Sequence, residues 1–209
     1  MSLRLNGQFL LAGAIGAILA SLLIFLLPGP DGVGGPGSIP TNAVFVISGV
    51  FLLVGLPALY RAQAKQIGRW GLVGVMLLWV ATVLLFFVLS GVQILDVTVP
   101  GSIPHPGGEG PPPLAIIPMI LGVVLTLIGG VIVGIMTIRA RVFAAAIGWI
   151  ILVSPVLLLL TALAGNGLLG VMLTSICLGL FYAGLAWAGA ALSFRRNPTQ
   201  ISASEVQRN

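Results

Sequence analysis

Charge is what this chain has least of. Only 6% of its 209 residues are charged, and four are acidic: Asp31, Asp96, Glu109 and Glu205. A soluble domain carries about 25% charged residues. A water-facing surface cannot be built from so few, so lipid has to cover most of the protein. Cysteine occurs once, at Cys177, which excludes an intrachain disulfide. No charge lies near it in sequence to favour a thiolate, so Cys177 reads as a small apolar packing residue. Histidine also occurs once, at His105. A single histidine excludes a bis-histidine haem. Only Asp96 and Glu109 are near enough in sequence to join it on zinc, so His105 reads as a solvated loop residue.

The chemical motifs are missing as well. There is no Gly-Lys-Ser/Thr phosphate loop, no His-Glu-x-x-His and no Gly-x-Ser-x-Gly elbow. The apolar runs hold no histidine or carboxylate, so most intramembrane hydrolase mechanisms lack their base. The expectation is a chain without enzymatic activity, and no catalytic residue, cofactor or metal site is assigned.

What is there is oil. Hydrophobic residues make up 58% of the chain, and mean hydropathy is +1.19. Six apolar runs stand out: 9–27, 43–59, 70–89, 114–138, 142–163 and 168–194. Each is near or above the roughly 20 residues that a membrane-spanning helix needs. Strands cross with about 9–11 alternating residues, so these runs predict helices. The predicted fold is an all-α bundle of six transmembrane helices over residues 1–196, followed by a disordered cytoplasmic tail over 197–209. The second run is the shortest and ends at Pro57. Ser154-Pro155 predicts a kink in the fifth. The first run is too long for a signal-peptide core and no Ala-x-Ala site follows it, which predicts an uncleaved span.

The nine basic residues set the orientation. Arg4 precedes the first run. Arg61, Lys65 and Arg69 lie between the second and third, Arg139 and Arg141 between the fourth and fifth, and Arg195, Arg196 and Arg208 after the sixth. With both termini cytoplasmic, all nine fall inside, as the positive-inside rule requires. The seven from Arg61 to Arg196 are candidate headgroup contacts. A net charge of +5 could suggest a nucleic-acid partner, but these cations are scattered singly at run ends and form no binding stripe.

The links outside differ in kind. Residues 28–40 and 96–113 are dense in proline and glycine, and Pro-Gly-Ser-Ile-Pro occurs in both, at 36–40 and 100–104. Such composition favours turns and polyproline segments. A weaker internal echo has an offset of 74: Gly74 and Gly91 enclose sixteen residues, as do Gly148 and Gly165.

Small residues recur at helix-packing spacing: Ala12, Gly16 and Ala20; Gly130 and Gly134; Gly184 and Ala188. A spacing of four places them on one face, where backbones approach closely. Candidate cavity-lining hydroxyls are Thr82, Thr126, Thr161, Thr174 and Ser175. The bland expectation for any such hydroxyl is a bond to the carbonyl one turn back. Trp70 beside Arg69 reads as an interfacial anchor, and mid-run Trp79 as core packing.

The stretches Gly55-Leu56-Pro57-Ala58-Leu59-Tyr60-Arg61 and Gly68-Arg69-Trp70-Gly71-Leu72-Val73-Gly74 resemble a group of uncharacterised bacterial six-span membrane proteins. In that group a Leu-Tyr-x-x-Gln-like inner loop precedes a Gly-x-x-Gly span start. The resemblance implies a similar fold and a bacterial inner membrane, and it implies no activity. Two functional expectations follow. The first is an accessory, scaffold or assembly subunit acting through helix packing, with the lipid bilayer, other membrane subunits or a second copy as partners. The second is a channel or facilitator for a small neutral or lipophilic solute.

Overall fold

The computed structural model describes residues 3–26, 39–99, 103, 113–163 and 168–194. The repeated Pro-Gly-Ser-Ile-Pro segments lie largely outside these residues. So do Asp31, His105, Glu109, Arg195, Arg196, Arg208 and the tail. All regular structure among the described residues is helical: α1 (Leu3–Leu26), α2 (Ile39–Thr82), a π-helical segment (Val83–Leu89), α3 (Ser90–Thr98), α4 (Pro113–Ala140), α5 (Ala145–Leu163) and α6 (Leu168–Ser193). Four stretches are long and apolar enough to cross a membrane: Leu3–Leu23, the 60-residue Ile39–Thr98, Leu114–Ala140 and Met172–Ser193; the apolar part of α5, Ala145–Thr161, is shorter.

The 60-residue stretch is not one rod. Gly68 adopts φ 55°, ψ −148° inside α2 and breaks the helix there. The chain then folds back on itself. Trp79 Nε1 donates to Leu53 O at 3.3 Å, and the Phe45 and Phe86 rings meet edge to face 5.4 Å apart. Both contacts join residues on opposite sides of Gly68, so the arms 39–67 and 69–98 run antiparallel.

Two sequence expectations are corrected here. Pro57 does not end a helix, and residues 60–70 are not a loop. Proline 57 cannot donate to the carbonyl four residues earlier. That carbonyl belongs to Leu53, and the Trp79 indole satisfies it from the facing arm. Ala62, Gln63, Ala64, Lys65 and Gln66 are good helix formers, so the helix persists to the glycine. The third run is likewise longer than expected, because helix continues through the π segment to Thr98. Ser154 and Pro155 lie inside a continuous α5.

Every other neighbour contact is antiparallel too. Gly13 of α1 faces Ser48 and Leu52, and Gly129 of α4 faces Gly74 and Leu78. Gly134 faces Gly148 and Leu152 of α5, and Gly184 of α6 faces Ile150 and Ile151. Gly7 and Gly189 close the circle between α1 and α6. The helices thus form a ring in the order α1, first arm, second arm, α4, α5, α6 and back to α1.

This alternation gathers the described cations. Arg4, Arg61, Lys65, Arg69, Arg139 and Arg141 all sit at one end of the ring, and all are exposed. Trp70, Trp149 and Trp187 lie toward the same end and are 67%, 55% and 48% exposed. Indole rings favour the level of the lipid headgroups. Two reversals occur at this cationic end, one at Gly68 and one at Arg141, whose φ is +52°.

Candidate functional site

Half-way along the bundle the packing changes. Leu52 and Leu56 of the first arm face Leu78, Thr82, Leu85 and Phe86 of the second, Thr126 of α4, and Phe181, Tyr182 and Leu185 of α6, around a cavity of about 10 Å³. That is room for the centre of one water molecule. Helix geometry explains the gap. Phe86 sits within the π segment, where the wider turn swings its ring inward to 2% exposure. The ring meets Phe45 on one side and Tyr182 on the other, at 5.4 and 5.8 Å and nearly perpendicular. Tyr182 in turn meets Phe181 at 5.5 Å. This relay of edge-to-face rings holds the first arm, second arm and α6 apart at mid-depth.

Three hydroxyl residues line the cavity. Thr82 Oγ1 donates to Leu78 O at 2.8 Å, and Thr126 Oγ1 donates to Gly122 O at 2.8 Å. Both protons are used one turn back, and both oxygens keep acceptor capacity. The third residue, Tyr182, is 5% exposed.

The other candidate hydroxyls lie elsewhere. Thr161 and Thr174 bond each other at 3.2 Å between α5 and α6 and do not line the cavity. Ser175 is half-buried on α6 and does not line it either. The expected single path of hydroxyls is therefore divided. Back-bonding is the general pattern, seen also at Ser21, Ser48, Ser154 and Ser193.

The small residues divide as well. Ala12 is exposed, while Ala20 is fully buried and Gly16 packs against the Ser48 side chain. A Cβ on Gly130 would lie 2.7 Å from the Pro155 ring, and one on Gly134 would lie 2.6 Å from Leu152 Cβ. A Cβ on Gly184 would meet Ile151 at 2.9 Å, and Ala188 is fully buried. Cys177 is buried with a free thiol. Among the described residues no group of three or more His, Cys, Asp or Glu could hold a metal ion.

Several positions that shape the interior escape sequence reasoning. Tyr182, Phe86 and the π segment carry no motif, although Tyr182 is the one tyrosine inside a predicted run. Gln63 and Thr137 are 1% and 0% exposed and bond each other at 3.3 Å, tying the first arm to α4 near the cationic end. Gln63 lies in the link between the second and third runs, where no apolar pattern marks it as buried. No protein family, curated protein or solved structure matches this chain.

Proposed function

We propose that this chain is a non-catalytic integral membrane protein, an accessory, scaffold or assembly subunit that presents a rigid helical ring to its neighbours in a bacterial inner membrane. The observation that carries this reading is the packed interior. Backbones meet through glycine where α1 packs on the first arm and on α6, and where α4 packs on the second arm and on α5, and the mid-depth cavity takes no more than one water. Such a body is suited to holding partners in place, since sub-ångström shape is what packed helices preserve.

In this reading the chain crosses six times with both termini cytoplasmic. Each arm of the folded-back stretch is about 45 Å long at 1.5 Å per residue, against a hydrocarbon core of about 30 Å. The α5 helix, at 19 residues, just matches that thickness. The exposed cations and tryptophans at one end support a cytoplasmic assignment of that end. Single cysteines at Lys65 and Val99, in a Cys177→Ser background, test the crossing of the second arm and the side of the cationic end. Membrane-impermeant maleimide added to intact cells should label position 99 and spare position 65. The opposite pattern removes the topology. For the scaffold role, extraction in native-lipid discs should yield a discrete complex heavier than the 21.5 kDa chain. A monomer alone would end that assignment.

A second reading, a facilitator for a small neutral solute, is favoured by one observation: hydroxyls of Thr82 and Thr126 converge on a cavity at mid-depth, the level at which transporters hold their substrates. Proteoliposomes should then pass water or a comparably small solute faster than empty vesicles, and Thr126→Leu should abolish the difference. Equal rates with and without protein dismiss it.

A further inference from the structure

The outer face of α4 carries one apolar stripe with a cation at its end. Ile117, Leu121, Val124 and Ile128 are all exposed, and spacings of three and four residues put them on one side of the helix. Arg139 follows Ile128 by eleven residues. That is about three turns, so Arg139 ends the same stripe. Between them Ile132 and Ile135 are half-buried, so the stripe sinks as it nears the cationic end. The glycine contacts explain the furrow. Gly129 and Gly134 draw the second arm and α5 close against the two flanks of α4. An exposed indole stands on each flanking helix. Trp70 is one turn from Gly74, where the second arm meets Ile132, and Trp149 is one turn from Leu152, where α5 meets Gly134.

Three exposed guanidinium groups stand at the cationic end of this furrow: Arg139 itself, Arg69 beside Trp70, and Arg141 just past the end of α4. The antiparallel register that sets Gly74 beside Ile132 brings Arg69 within a turn of the level of Arg139. Asp96 is the one carboxylate among the described residues, and it lies at the far end of the second arm. We propose that the furrow is a binding site for one anionic glycerophospholipid, its phosphate on these guanidinium groups and an acyl chain along α4. Guanidinium matches phosphate bidentately, and indoles favour the level of the headgroups. The length fits as well. Eleven residues of helix measure about 16 Å, half of a hydrocarbon core about 30 Å thick. The acyl chain of one leaflet therefore runs from Arg139 to Ile128. A free phosphate would leave the apolar floor of the furrow without a partner. Arg4, Arg61 and Lys65 share this end of the ring, but they lie on α1 and the first arm, outside the frame of Trp70 and Trp149. The site requires only that the helices cross lipid. It depends neither on the scaffold or facilitator reading nor on which side the cationic end faces.

Tryptophan quenching tests the site in the full chain. In a Trp187→Phe background, emission from the cationic end comes from Trp70 and Trp149. The protein is placed in phosphatidylcholine vesicles, and phosphatidylglycerol with brominated acyl chains is titrated in. Saturable quenching is expected, at lower mole fractions than brominated phosphatidylcholine needs. Arg139→Gln should raise the half-quenching mole fraction about fivefold, the contribution of one cation at an anionic surface. Arg69→Gln should act in the same direction, which keeps the test open if one variant fails to fold. Arg4→Gln removes the same charge from another helix and should leave the titration unchanged. Equal quenching by the two brominated lipids overturns the site. So does an equal shift from Arg4→Gln, which would mean a diffuse field rather than a furrow. Reversal of the quenching by added inorganic phosphate also overturns it, because the acyl chain would then contribute nothing.

Discussion

The cationic half of the bundle and its middle are held together by opposite means. Toward the cations, helices touch through what they lack. Gly7 meets Gly189, Gly74 meets Gly129, and Gly134 meets Gly148, with backbone atoms of one helix near 3 Å from where the other's Cβ would stand. At mid-depth, glycines such as Gly49 still make contacts, but helices also touch through what they carry: Phe45, Phe86, Tyr182 and Phe181 in edge-to-face sequence, with threonines beside them. Backbone contact leaves no space, so only dispersion operates there and any added atom clashes. Ring contact leaves small gaps, because rigid plates cannot fill every corner. The lesson is that a gap arises where aromatic rings are the spacers, and close backbone contact where side chains are absent.

The strongest test of that contrast is to add bulk where glycine makes the contact. Gly134→Val would bring a side chain against Leu152 N of α5, where even a Cβ would stand 2.8 Å away. The helices must separate, and the expected loss of stability is about 3 kcal/mol, measured by unfolding in mild detergent. Second comes Gly68→Ala. No atom lies within 4 Å of the new methyl group, so the penalty is purely conformational. A backbone near φ 55°, ψ −148° is essentially restricted to glycine, and the substitution should destabilise by about 1–3 kcal/mol. Third is Trp79→Phe. It keeps the ring and removes the donor that Leu53 O needs opposite Pro57. A loss of about 1–2 kcal/mol is expected, and Pro57→Ala in the same chain should restore most of it, because residue 57 would then donate to Leu53 O itself. Smallest is Gly91→Ala, where no atom lies within 4 Å and the residue is exposed on α3. Unfolding should shift by less than about 0.5 kcal/mol in the loosening direction, and alanine's helix propensity favours a slight gain. A large loss at Gly91 would show that this face is covered by a partner.

Much of the fold could be read before the structure. Long apolar runs made of Leu, Ile and Val at high density have no stable alternative to helix in lipid. Residue positions within them were harder. Gly16, Gly130, Gly134 and Gly184 do lie against neighbouring helices, whereas Ala12 is exposed, and Gly7, Gly13, Gly129 and Gly189 make equally close contacts on other faces. The reason is geometric. A ring of antiparallel helices gives α1 and α4 two partners each, so small residues are needed on two faces and a single four-residue spacing describes only one of them. Pro57 misled for a related reason. Its effect on the helix depends on Trp79, twenty-two residues later, and that partnership exists only once the arms fold together.

The chain's composition alone determined that it is helical and apolar. Its few cations, confined to the flanks of those runs, determined which ends of the helices belong together. Both are consequences of solvation, which acts on each residue wherever it lies. The π segment, the closure of α1 on α6, the Gln63–Thr137 tie and the hydroxyl-lined cavity were decided by tertiary structure. Each depends on atoms from different helices meeting at van der Waals or hydrogen-bond range, and no single run of sequence contains that information.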